Sequence, residues 1–457
     1  MSSDSDNTTN FIKAQSRRRN TAYDSGAFVA FLIPTLRFIQ VKVVGVLSGS
    51  DLVFLAIFLV LALRGKIELR TLRAKRFIVL CSLWLVSQCV TDVVRHSVFV
   101  DYARGWSNIG LTLINFVVLY SLLYDRPRRL IFYGWGLVVG GLLTFLITPD
   151  IYMETDPWKF GIAYPVSWAT MLLVSRKKSH SYEPVFLCIV VGGLHVLMGA
   201  RSSGGMCIVV ALYLLAVRYF IKRGARRYKL RARYIAAVGT GVVLSVVGIF
   251  WGYGYAAQAG ILGDDARKKY ELQSSGKYGV LLGGRTEALS YVPAIIDSPI
   301  LGHGSWAKDP TYIIAQRQAL LMMGYGDALD FDQAELEEGL IPSHSIIFGA
   351  WVDAGILGVV FWGWVFVLTL KMLLRVYPPG IRLLPLASYA AFQLLWDLLF
   401  SPYGAYMRTI TPYYIVLVMT CMDAMPLEAA PIMASVRKKR SHNRVLSNRV
   451  LEGDSPV

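Results

Sequence analysis

The residues best placed to do chemistry fall between Gly283 and Gly358. Gly283-Gly284 precede Arg285, and Thr286 opens a pattern, Glu287, Ala288, Leu289, Tyr291 and Ile295, that predicts a helix ended by Asp297-Ser298-Pro299. Thr286 is expected to cap that helix. Arg285 then stands beside the freed N–H groups of a helix N-terminus, and guanidinium and N–H groups together offer donors to phosphate oxygens. Pairing of Arg285 with Glu287 or Asp297 explains the same local sequence equally well. Farther on, Pro342-Ser343 mark the start of an apolar helix, which puts the His344 imidazole at a membrane interface, facing the polar stretch. Imidazole suits proton removal near neutral pH, although capping a transmembrane helix is the plainer role. His303, in Gly302-His303-Gly304-Ser305, reads more simply as a satisfied turn residue than as a catalyst. His303 and Glu287 are the secondary candidates for the same proton.

Two arginines lie outside this stretch. Arg201, in Gly199-Ala200-Arg201-Ser202-Ser203-Gly204-Gly205, occupies a link too short to leave the membrane surface and must find an anion, a carbonyl or water. Lipid phosphate is the plain partner. Arg37 interrupts the first apolar run and could reach a substrate, though snorkelling or facing the bundle interior is commoner. Asp327, Asp330, Asp332, Glu335, Glu337 and Glu338 form an acidic run without calcium-loop spacing. The five cysteines contain no CxxC pair, so neither a metal site nor a disulfide frame is expected.

The elements that must position these residues are apolar helices. Of 457 residues, 55% are hydrophobic and only 17% charged, and the apolar residues come in runs long enough to cross a bilayer. The expected class is an all-α, polytopic integral membrane protein of about twelve transmembrane helices with one large extracytoplasmic loop. After Phe28 to Leu47, interrupted by Pro34, Arg37 and Lys42, and Leu52 to Leu63, spans are expected at about 77–95, 107–124, 130–148, 159–174, 184–199, 204–220, 234–254, 344–370, 383–399 and 410–426. The formal net charge of +17 would suggest nucleic acid in a soluble protein. Here the basic blocks, at Arg17 to Arg19, Arg64 to Arg76, Arg126 to Arg129, Arg176 to Lys178, Lys222 to Arg233, Lys371 to Arg382 and Arg437 to Arg440, fall at every second span boundary. That pattern orients spans and excludes a nucleic-acid partner. It divides the chain into a cytoplasmic tail (1–26), an N-terminal bundle (27–254), a large outer loop (255–343), C-terminal helices (344–427) and a cytoplasmic tail (428–457). No cleaved signal peptide is expected, and the tail is able to touch anionic lipid.

The ordered set of Arg201 in a short outer link, Gly284-Arg285, Pro299-x-x-Gly302-x-Gly304 and His344 ahead of Gly355-Ile356-Leu357-Gly358 resembles the O-antigen ligase and polymerase superfamily of bacterial envelopes. The resemblance implies a metal-independent inner-membrane glycosyltransferase, with no cofactor, acting on glycans carried by undecaprenyl pyrophosphate. Its acceptor is a glycan or lipid A core, and its partners are membrane lipids and envelope polysaccharide assembly proteins. By resemblance, Arg201 and Arg285 hold the pyrophosphate and His344 is the essential histidine. Ser345 departs from the asparagine often found after that histidine, and Asp353 supplies the acidic residue before Gly-x-x-Gly. The chemistry is self-consistent: arginines neutralise a departing diphosphate, and a histidine deprotonates the acceptor hydroxyl. Tyr253, Tyr255, Tyr278, Tyr291 and Trp306 are able to stack on sugars or to anchor at the membrane interface. A flippase or solute transporter is the competing class, against which stand the absence of a two-half repeat and the placing of the polar motifs in an outer loop. An assembly scaffold would leave the Arg and His pattern unexplained.

Overall fold

The computed structural model describes residues 24–176, 182–222, 239–240, 247–248, 251–261, 263–274, 286–325, 338–375, 377 and 381–423. The chain is helical almost throughout. In order the helices are α1 (Ser25–Thr35), α2 (Gly49–Leu63), α3 (Leu72–Arg95), α4 (Phe99–Leu123), α5 (Pro127–Ile147), α6 (Ile151–Thr155), α7 (Ala163–Val174), α8 (Glu183–Leu197) and α9 (Arg201–Lys222). After a helical stretch at 251–258 come α10 (Asp264–Ser274), α11 (Ala288–Asp297), α12 (Pro310–Met322), α13 (Ile346–Ala354), α14 (Ile356–Leu373), α15 (Leu384–Phe400) and α16 (Met407–Asp423). Among the described residues, α3, α4, α5, residues 201–219 of α9, and α14 are long and apolar enough to cross a membrane.

α3 shows how such a helix sits. Val79, Leu83, Val86, Val90, Val93 and Val94 are exposed along one side, while Phe77, Cys81, Trp84, Gln88, Thr91 and Asp92 are buried on the other. Valine and leucine at that spacing form a continuous apolar outer stripe, the face a membrane-embedded helix turns to lipid. The polar residues point inward. At the centre lies α16, buried at every position from Met407 to Met422 and packed on α4, α14 and α15.

The first apolar run departs from a simple span. Pro34 and Arg37 end α1 in a 3-10 turn, Leu36–Phe38, and the chain then forms an antiparallel pair, β1 (Gln40–Lys42) with β2 (Val46–Ser48). Ser48 begins α2 with a capping box: its hydroxyl accepts from Asp51 N, and its own N–H donates to Asp51 Oδ2 at 3.0 Å. The same carboxylate meets Arg408 Nη2 at 2.9 Å in a buried pair that also receives Asn115 Nδ2. This pair ties the start of α2 to the start of α16. The expected span at about 159–174 opens with a π-helical turn, Pro157–Ile162, before α7. The expected continuous helix at about 344–370 is two helices, broken at Gly355.

Candidate functional site

The break at Gly355 builds the site. The last carbonyls of a helix have no partner within it, and a short helix ending beside an apolar bundle must find donors elsewhere. Three of the last four in α13 do so, while the first of the four keeps the regular bond of the helix. Trp351 O accepts from Gly355 N at 2.8 Å, Val352 O from His303 N at 2.7 Å, and Asp353 O from Gly304 N at 3.0 Å. Asp353 O also receives Gln88 Nε2 at 3.3 Å, and Ala354 O receives Ser87 Oγ at 2.7 Å. In return, Ile356 N donates to Ile300 O at 3.1 Å. The 300–304 turn is thus laid directly on the helix break. Gly355 has φ +66°, and a Cβ there would overlap the Ile300 carbonyl, so only glycine lets the two backbones meet.

The C-terminal end of α3 holds the same turn from the other side. Asp92, buried, accepts from Ser305 N at 2.6 Å, Ser305 Oγ at 2.7 Å and Trp106 Nε1 at 2.8 Å. Thr91 Oγ1 donates to Leu301 O, and Arg95 donates to Gly302 O at 3.1 Å and to Ser298 Oγ at 2.7 Å. Lys308 pairs with Asp101 at 2.7 Å, and residues 307–309 bridge back to 339–341. Trp306, between these anchors, adopts φ +50° with Arg104 over its ring. A bulky residue in the left-handed region persists only where its surroundings over-determine it.

Beneath this cap is a cavity of about 700 Å³ lined by α3, α4, α13 and α14, by segments 306–325 and 338–346, and by the 402–404 turn. His344 and Glu287 stand on its wall, with His344 Nδ1 3.0 Å from Glu287 Oε1. The histidine side chain is 53% exposed and the glutamate 21%. Donation from Nδ1–H to the carboxylate leaves Nε2 with the lone pair, the orientation of a general base held by an acid partner. Helix α11 runs Ala288–Asp297, close to expectation, but Thr286 does not cap it: the N-cap is Glu287, with no side-chain cap bond. Glu287 is kept for His344. His344 likewise does not cap the following helix, because Ser345 does, accepting from Phe348 N at 3.2 Å while its hydroxyl donates to Leu398 O at 2.8 Å. The serine therefore fixes both the start of α13 and its place against α15.

The remaining expected residues fall elsewhere. His303 is a turn residue: Nε2 donates to Ala294 O at 2.7 Å, and its ring meets Tyr312 edge-on. Tyr312 OH donates to Asp297 at 2.8 Å, and burial, then that carboxylate, push its phenol up to about 12. Arg201, at the first turn of α9, stacks on Tyr253 at 3.9 Å and is not part of the cavity lining. Arg37 lies in the 3-10 turn after α1, with Nη1 buried and no hydrogen-bond partner there. Arg285, Tyr278 and the acidic residues from Asp327 to Glu337 lie outside the described residues.

Sequence reasoning missed Trp84, Gln88, Asp92, Asn108 and Trp362, because tryptophan within an apolar run reads as packing. The usable signal was Gln88 and Asp92, one turn apart at the end of α3, since polar residues on one face of a membrane helix look inward. The described lining contains the carboxylates Glu287, Glu338 and Asp353 and neither lysine nor arginine. No protein-family model, no curated protein and no solved structure matches this chain.

Proposed function

We propose that the protein is a membrane glycosyltransferase of the O-antigen ligase or polymerase type, moving a glycan from polyprenyl pyrophosphate to an acceptor hydroxyl. The observation that carries this reading is the His344–Glu287 pair at 3.0 Å on the wall of a capped cavity of about 700 Å³. That volume lies within the roughly 300–1,000 Å³ of small-ligand sites. On this reading the chain spans the bacterial inner membrane about twelve times with both termini cytoplasmic, and the cap lies outside.

The acceptor hydroxyl enters the cavity and passes its proton to His344 Nε2 as its oxygen bonds to the anomeric carbon. The bond from that carbon to the diphosphate oxygen breaks, and the diphosphate leaves with the electron pair. Glu287 stabilises the imidazolium that forms. The described cavity wall carries neither lysine nor arginine, so a cation for the diphosphate is sought beyond the described lining. Arg285, two residues before Glu287 in the chain, is the first candidate for that role. Arg201, stacked on Tyr253, would meet the pyrophosphate through its in-plane N–H groups.

The test uses full-length protein reconstituted with an undecaprenyl-pyrophosphate-linked oligosaccharide and a panel of glycan acceptors. His344→Ala is expected to keep binding of the lipid-linked donor while turnover falls by about 10²-fold, the size of a lost general base. Wild-type turnover in that variant, or no transfer by the wild type to any acceptor, sinks the reading.

A further inference from the structure

Helix α11 and the turn after it leave one apolar side bare. Val292 is 43% exposed, Ile296 70% and, in the turn, Ile300 75%. The opposite side, Ser290, Ala294 and Ile295, is buried in the cap. Asp297, the one charged residue of α11, is turned to α12, where Tyr312 OH donates to it at 2.8 Å. A helix apolar on every side belongs in an interior, and a run of bare aliphatic side chains marks a surface made to be covered.

What covers it follows from where its two ends are fastened. Beyond the C-terminal end, Ile300 O accepts from Ile356 N at 3.1 Å, at the start of α14, which is long and apolar enough to cross a membrane. From there α14 leaves Ile356, Val360 and Val367 exposed along one side, the stripe that a membrane helix turns to lipid. At the N-terminal end, Ala288 and Tyr291 close an apolar cleft of about 120 Å³ with Phe348 and with Leu399 and Phe400, the last residues of α15. Tyr291 stacks on Phe348 at 5.0 Å. The end of α15 and the start of α14 belong to the same face of the bundle, so α11, about 15 Å long, lies across the edge of that face rather than upright. The bare side is continuous with the outward stripe of α14, and one medium covers both. Trp351 donates from its indole to Pro299 O at 2.8 Å beside the same turn, and tryptophan and tyrosine are the side chains that settle at a membrane interface.

We propose that α11 is an interfacial helix: its Val292, Ile296 and Ile300 side lies in the acyl chains of the leaflet on the cap side, and it sets the His344–Glu287 pair at headgroup depth. Glu287 is the N-cap of α11, and Glu287 and His344 line both the apolar cleft and the large cavity. The pair therefore stands where the apolar interior of the membrane gives way to water. The inference requires only that the bundle is embedded in a bilayer, and it goes beyond the transferase reading without resting on it.

The experiment reads the surroundings of that side directly. Full-length protein carrying Cys89→Ser, its other four cysteines being buried, is spin-labelled at Val292→Cys, Ile296→Cys or Ile300→Cys and placed in lipid nanodiscs. Collision of the nitroxide with oxygen, which gathers in lipid, is compared with collision with a neutral nickel chelate, which stays in water. Val86→Cys on the outer stripe of α3 and Glu68→Cys in an exposed link are the lipid and water references. At Ile296 and Ile300 the oxygen-to-nickel ratio is expected to match that at Val86 and to exceed that at Glu68 by about tenfold, since a hydrated chelate is costly to bring into hydrocarbon. All three positions are exposed, so the label displaces no core contact, and should one variant misfold the other two decide. A ratio like that at Glu68 puts α11 in water and overturns the proposal. Protection from both probes means that protein, a second copy included, covers the side, and overturns it as well. Transfer activity is measured on the same samples: transfer with a ratio like that at Glu68 removes the interfacial helix and leaves the transferase, while a ratio like that at Val86 without transfer does the reverse.

Discussion

A histidine with one nitrogen committed to a carboxylate has only one nitrogen left for chemistry, and His344 is in that state through Glu287. Glu287→Gln retains an acceptor for Nδ1–H but loses the charge that stabilises imidazolium. Turnover is therefore expected to fall about tenfold with donor KM unchanged. The measurement is initial transfer rate against donor concentration in reconstituted membranes. A raised KM with normal turnover would instead make Glu287 part of the donor site. At this scale the sequence pointed to His344 because Pro342-Ser343 set it off from the helix that follows. Glu287 stood there both as a partner for Arg285 and as a second candidate for the proton, since nothing local links residue 287 to residue 344. The cavity-lining Trp84 and Trp362 were illegible for a different reason: which tryptophans of an apolar run border a cavity depends on what folds around them, and no spacing encodes that.

Helix by helix, apolar length was readable and interruption was not. Ile346 to Leu373 reads as one apolar stretch, yet Gly355 divides it, and the signal was a glycine, since φ +66° with ψ −151° is open only to a residue without a Cβ. The first span failed in the opposite way. Pro34, Arg37 and Lys42 were visible as interruptions, but the β1–β2 pair depends on tertiary contacts such as the buried Asp51–Arg408 pair. Gly355→Ala combines a left-handed alanine with overlap at Ile300 O and is expected to destabilise by more than about 2 kcal/mol. Gly193→Ala, in α8 with open space around it, is the control expected to melt like the wild type. Thermal melting in detergent compares them. Equal melting of the two variants would mean that the turn and the break are not interlocked as described.

Over the whole molecule, the cap and the basic blocks must face opposite sides of the bilayer if the site is to meet a glycan delivered outside the cell. Met322, at the end of α12, is highly exposed, and Glu68, in the basic link between α2 and α3, is exposed as well. With the half-buried Cys89 changed to serine, a membrane-impermeant thiol reagent applied to intact cells is expected to label Met322→Cys and to spare Glu68→Cys. The reverse pattern would invert the molecule and place the site in the cytoplasm. The joint at Gly355 also carries a consequence for how the chain is made. The side-chain and turn donors to the last carbonyls of α13, Ser87, Gln88, His303 and Gly304, all precede it in the sequence. Synthesis runs from the N-terminus, so the ribosome has already delivered all of these donors when the carbonyls they serve emerge, and beyond α13 the backbone bonds of the joint need only Gly355 and Ile356.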